Sequence, residues 1–227
     1  MGKGPEKFSD PVEFLKAKYQ SGETDEFIAP AQDENFSGLQ DHDALIFLNF
    51  RKDRARQITK ALIREKFSEF SREKKEVNFL SMTRYYKEQE SPVLFEDFEV
   101  KDTLGEILEK AGKTQLRIAE TEKFAHVTFF FDGGVKKDFS GKKEIIIPSP
   151  DVATYDLKPE MSAYEVTEKL ISEMNENEPD FVLVNYANTD MVGHTGKFEA
   201  IKKAVEVVDE CVGEVVEQAQ KKGYSIL

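Results

Sequence analysis

The sequence predicts an α/β protein with a largely parallel sheet, and three observations carry that prediction. Short apolar runs bounded by polar residues, DALIFLNF (43–50), VNFLSM (77–82) and DFVLVNY (180–186), have the pattern of strands covered on both faces. Helical stretches alternate with strands, most clearly after residue 103. The composition, 39% hydrophobic and 33% charged, is that of a soluble folded chain, and 227 residues suffice for one large domain or two modest ones.

The elements follow in order. Residues 1–40 mix charge with Gly and Pro and hold one short helix, Asp10 to Tyr19, with Asp10 as N-cap and Pro11 as first helical residue. After the run 43–50 comes a helix over 54–68, with Ile58, Leu62 and Ile63 on one face, and then the strand 77–82. Periodicity lapses around SPVLFEDFEVKD (91–102), which places a boundary or hinge near residues 95–102. Beyond it TLGEILEKAG (103–112) is helical, with Thr103 capping opposite Glu106. QLRIAE (115–120) and HVTFFF (126–131) read as strands, the second ending in the turn signal Asp132-Gly133-Gly134. Ser162 and Glu165 form a capping box for a helix to about Asn175. The strand 180–186 leads through a loop to a long helix from Lys197 to Lys222 that Gly223 closes. Tyr-Ser-Ile-Leu (224–227) reads as the opening of another buried strand, so the chain is expected to be a fragment.

Charge and cysteine content narrow the function classes. The net charge of -12 disfavours non-specific nucleic-acid or anionic-membrane binding. The single Cys211 excludes an intramolecular disulfide framework. No apolar run approaches the roughly 20 residues of a membrane span, and the start MGKGPEKFSD has no apolar signal core. The expected compartment is the cytoplasm.

Three stretches could carry chemistry. In NYANTDMVGHTG (185–196), directly after a strand, Asp190 and His194 lie four residues apart, with Gly193 and Gly196 allowing sharp turns. Oxygen and nitrogen ligands suit Mn or Zn better than Mg, but a metal needs at least one or two more. The plainer alternative is an Asp that caps a helix and a His that hydrogen-bonds locally. In NFRKDRARQ (49–57), Arg51, Arg54 and Arg56 cluster where a helix begins, a place that favours phosphate or carboxylate. Twelve Lys and Arg stand against five Asp and Glu between Arg51 and Lys87. Much of that is solvated helix face, and Arg51 and Arg54, nearest the strand end, are the better candidates. In ETEKFAHVTFFFDGG (120–134), Lys123 sits just before a buried strand, where a partly desolvated ammonium can stabilise developing negative charge. A lone lysine there is more often surface. His126 reads as a core residue opening a strand, and His42 as a surface residue before one.

Taken together, FLNFRKDRARQI, QLRIAETEKFAHVTFFFDGG and NYANTDMVGHTG, with GETDEF (22–27) and IPSPDVATYDLKPEMSA (147–163), resemble the cofactor-independent phosphoglycerate mutase family over essentially the whole chain. The resemblance implies an alkaline-phosphatase-like α/β metal domain, present in part, and part of an inserted α/β substrate domain. Residues 1–98 would be the end of the substrate (phosphotransferase) domain and 99–227 part of the metal domain. It implies an isomerase of glycolysis that interconverts 3- and 2-phosphoglycerate through a phosphoserine, with two Mn ions (Mg or another divalent ion being the alternative). It further implies a monomer whose partner is a small-molecule substrate, without nucleic acid or membrane. By the resemblance Asp190 and His194 ligate one metal, Arg51 and Arg54 hold the substrate phosphate and carboxylate, and Lys123 stands near the transferred phosphoryl group. Lys52 replaces the proline usual between the arginines, and Asp132 the asparagine usual before the Gly pair. The family's nucleophilic serine and its remaining metal ligands match nothing in this chain, so the chain alone is expected to be inactive. The alternatives are another phosphomutase or phosphatase of the superfamily, and a non-catalytic remnant that binds phosphate or a partner chain.

Overall fold

In a computed structural model, which describes residues 4–227, the chain divides after Phe98 into two units. In the first, β1 (Glu6–Phe8) pairs in parallel with β2 (Ala31–Asp33), and α1 (Pro11–Gln20) lies between them in sequence. Helix α1 starts where it does because an Asp10 carboxylate oxygen accepts from the Val12 and Glu13 N–H groups at 2.8 and 3.2 Å. A second parallel pair joins β3 (Ala44–Phe47) to β4 (Asn78–Ser81), with α2 (Lys52–Ile63) as the crossover.

Two expectations fail in this unit. The run 43–50 is not covered on both faces: Ile46, Leu48 and Phe50, which alternate along one face, are 58, 67 and 74% exposed. Helix α2 also ends at Ile63 rather than 68, and it buries Ala55, Thr59, Ala61 and Leu62, leaving Ile58 exposed. Its packing face therefore runs through Ala55, Thr59 and Leu62 (i, i+4, i+7), so that of the expected row Leu62 is buried, Ile63 half-buried and Ile58 exposed. Beyond it Phe67 and Phe70 pack edge-to-face at 4.8 Å instead of continuing the helix.

The second unit opens with α3 (Leu104–Lys110), whose Glu106 carboxylate accepts from the Thr103 N–H at 2.9 Å. A three-stranded parallel sheet follows, with β5 (Gln115–Glu120) in the centre between β6 (Lys142–Ile147) and β7 (Phe181–Asn185). Every residue of β5 is buried, although only Leu116, Ile118 and Ala119 are apolar. The period of two resolves this. Leu116 and Ile118 join Val166, Leu170 and Met174 in the core beneath the helices. Gln115 and Arg117 face the other way, into a polar network under the segment 124–139.

That segment corrects the reading of HVTFFF as a strand. It holds the short helix α4 (Phe124–Val127) and tight turns, in which the Phe130 N–H donates to the Ala125 carbonyl and the Gly134 N–H to the Phe129 carbonyl, both at 2.9 Å. Aromatic and β-branched content mimicked strand propensity, and tertiary packing overrode it. His126 accordingly lies in a helical turn, its ring 5.2 Å from that of Phe130. The third strand is instead β6 (Lys142–Ile147), whose alternation KKEIII conceals.

Helix α5 (Ala163–Asn177) starts after Ser162, but the capping box is not formed. The Ser162 hydroxyl donates to the Pro148 carbonyl at 2.8 Å, and its N–H to Glu120 Oε1 at 3.1 Å. Strand β7 (Phe181–Asn185) leads into α6 (Asn188–Gly193), within what read as a loop, and then α7 (Phe198–Lys221). Gly223, at φ +78°, ends α7, and the Tyr224 N–H returns to the Ala219 carbonyl at 2.9 Å. Residues 224–227 form no strand. Among the described residues no helix is long and apolar enough to cross a membrane.

Candidate functional site

Strand β5 ends at Glu120, and a single 3-10 turn (Thr121–Lys123) carries the chain away from the sheet. Lys123 is therefore not surface but buried beside the carboxyl end of the central strand, at 7% exposure. On the neighbouring strand, α6 begins three residues after β7, held by Asn188, whose amide donates to the carbonyls of Pro159 and Glu160 at 2.9 and 2.7 Å. One turn of α6 then sets Asp190 and His194 on the same helical face, with the His194 N–H donating to the Asp190 carbonyl at 3.2 Å. Gly196, at φ +67°, makes the turn that follows, whereas Gly193 lies inside the helix.

These placements bring three of the five sequence candidates together. The Lys123 ammonium is hydrogen-bonded to Asp190 Oδ2, and Asp190 Oδ1 lies 3.3 Å from His194 Nε2. The bound ammonium holds the Asp190 carboxyl below its usual range. The Asp190 and His194 side chains are 53 and 58% exposed, so an ion can approach them, and their oxygen and nitrogen donors suit a divalent transition metal. Among the described residues no three His, Cys, Asp or Glu side chains are grouped to hold an ion.

Three further groups at these strand ends were not singled out from sequence. Glu120 is fully buried, which pushes its carboxyl up, and it fixes Ser162 at the start of α5. Glu122 accepts from the Tyr155 hydroxyl at 3.0 Å; burial first, and this bond second, push the phenol up to about 12. The signal for Glu120 was its place in QLRIAE, a charge closing an otherwise buried strand.

Arg51 and Arg54 belong to the first unit, at the start of α2, and both are exposed. Arg51 is the N-cap residue, and its Nε lies 3.2 Å from Asp53 Oδ2. The chain entering them is fixed by buried Tyr85, whose hydroxyl donates to the Phe47 and Asn49 carbonyls. Lys52 forms an ion pair with Asp97 at 2.5 Å. Arg56 turns back, its Nε donating to the Tyr85 carbonyl at 3.2 Å.

Residues 41–227 match the metalloenzyme superfamily. The chain is similar to the 2,3-bisphosphoglycerate-independent phosphoglycerate mutase of Ectopseudomonas mendocina, at 50% identity over all of this chain and 44% of that protein. It is similar to the protein of the same name from Methanococcoides burtonii, at 52% identity over 94% of this chain and 42% of that protein. Among solved structures it resembles Leishmania mexicana phosphoglycerate mutase, crystallised at low cobalt concentration, with a TM-score of 0.75 and 27% identity over 97% of this chain and 42% of that one. The chain thus spans less than half the length of these relatives, and its α/β fold is that of a partial alkaline-phosphatase-like domain.

Proposed function

The chain belongs to the metalloenzyme superfamily, and from that premise we propose that it serves a cofactor-independent phosphoglycerate mutase, interconverting 3- and 2-phosphoglycerate. One observation carries the reading: a buried lysine, a carboxylate and an imidazole meet at the carboxyl ends of parallel strands, in a chain 50% identical to proteins of that name. The first unit is read as the end of the substrate domain and the second as part of the metal domain.

In this reading Asp190 and His194 are two of the donors to a divalent ion, with Mn favoured over Mg by the imidazole. Such an ion, when bound, neutralises charge on a transferring phosphoryl group. Arg51 and Arg54 offer planar forked donors to the substrate phosphate and carboxylate. Lys123, low in dielectric beside the strand end, places a fixed positive charge where negative charge develops. The test is a full-length protein in which this chain replaces the matching segment of the Ectopseudomonas mendocina protein. With Mn it should convert 3- to 2-phosphoglycerate without added bisphosphoglycerate. A folded chimera that turns over a generic phosphate ester but not phosphoglycerate would instead favour a phosphatase of the same superfamily.

A further inference from the structure

The most unusual buried group in the second unit is Arg117, which has no exposed surface and sits in the middle of the central strand. Its Nη1 donates to Asp132 Oδ1 at 2.6 Å and to the Val127 carbonyl at 3.3 Å, and its Nη2 to Gln115 Oε1 at 2.9 Å. The guanidinium lies 4.9 Å from the centre of the Phe131 ring. Its position is also set from behind: a Cβ on Gly105 would come within 2.6 Å of Nη2, so only glycine fits there. Asp132 is 1% exposed, and its second oxygen lies 3.8 Å from Lys142 Nζ on β6.

A buried ion pair is a costly way to fill a core, and an apolar pair of similar volume would stabilise it at least as well. What the pair adds is direction. The chain leaves β5 after Glu120, passes through Lys123 and α4, and is tied back to β5 at Arg117 through both Val127 and Asp132. Lys123 is thus held inside a closed loop whose two ends are anchored on the same strand, which removes most of its freedom to swing away.

We propose that Arg117 and Asp132 are positioning residues for Lys123: their buried pair fastens residues 124–132 to β5 and so keeps the Lys123 ammonium on Asp190. This deepens the reading of Lys123 given above and rests on it for its meaning in catalysis. The test reads Lys123 itself, so it can fail while the mutase reading stands, and the reverse.

The experiment is acylation of the folded 227-residue chain with a lysine-reactive ester, the rate at Lys123 being followed by peptide mapping and normalised to exposed Lys221. Arg117→Lys keeps the charge but cannot fork, and Asp132→Ala removes the acceptor. Each should raise the normalised rate at Lys123 about tenfold, as expected when one charge-assisted hydrogen bond no longer opposes local opening. Asp132→Asn keeps the acceptor oxygen and should retain the slow rate. Unchanged labelling in folded Arg117→Lys or Asp132→Ala overturns the proposal, as does Asp132→Asn behaving like the alanine variant. Should these variants not fold, the unmodified chain still decides. Under a urea gradient, Lys123 labelling and deuterium exchange at the Phe130 and Asp132 amides should rise together. Labelling of Lys123 before those amides exchange would overturn the coupling.

Discussion

The Lys123 ammonium is hydrogen-bonded to one oxygen of Asp190, a residue 67 positions away in sequence, while the other oxygen faces His194 at 3.3 Å. The parallel pairing of β5 with β7 brings the two strand ends side by side, so residues far apart in sequence share one site. A surface lysine would bring no fixed charge. This one is 7% exposed and therefore has few other places to go.

Replacing it should show in turnover more than in binding. In the chimera described above, Lys123→Met should lower kcat by on the order of 10²–10³, as expected for loss of one pre-positioned charge stabilising the transition state. Steady-state kinetics measure it, and a rise in KM with kcat unchanged would assign Lys123 to ground-state binding instead.

The arginines make a different prediction. In the same chimera, Arg51→Ala or Arg54→Ala should each remove a charge-assisted contact of ~1.5–3 kcal/mol, on the order of tenfold to a hundredfold in kcat/KM. Kinetics equal to the unmodified chimera would return both to the solvated helix face.

Acid stability has a specific source. The Asp180 carboxylate accepts from Lys113 Nζ, the Thr114 N–H and the Thr114 hydroxyl, each at 2.9 Å, clasping the start of β7 to the start of β5. The Lys113 bond first, then the Thr114 bonds, lower its pKa from 3.8 to about 2. Because the folded value is the lower one, the contribution is complete above about pH 4 and is lost as pH falls toward 2. Denaturant midpoints measured across that window should fall for the unmodified chain and fall less for Asp180→Asn. Equal pH dependence in the two would contradict the clasp.

The core makes the plainest prediction. Leu170 is fully buried on α5 against Leu116 and Ile118. Leu170→Ala should cost about 2–5 kcal/mol through lost transfer energy and a residual cavity, read as a shift in urea midpoint at constant slope.

How much of this was legible in the sequence differs by element. Helix α1 was readable from Asp10-Pro11 because capping is local chemistry, and α7 from its length and Gly223. HVTFFF was not, since the run is held against β5 by Arg117, which donates to the Val127 carbonyl and the Asp132 carboxylate, and no local pattern shows those contacts. Strand β6 was hidden because its lysines find partners outside the strand, Lys143 with Glu173 and Lys142 with Asp132, that no local pattern reveals. In the site, the Asp190–His194 spacing was plain because i, i+4 on a helix is itself local. The burial of Lys123 and its pairing with Asp190 were not, because they arise from the parallel register of β5 with β7.

In the proposed function Asp190 and His194 act as joint donors to one divalent ion. Paramagnetic Mn broadens the resonances of nuclei next to it, and the chain has only three histidines to follow. On titrating Mn into the chain, the His194 imidazole signals should broaden well before the ion is in excess, and Asp190→Ala should remove that selective broadening. His194 signals that persist through the titration, or that broaden equally in Asp190→Ala, would contradict the claim.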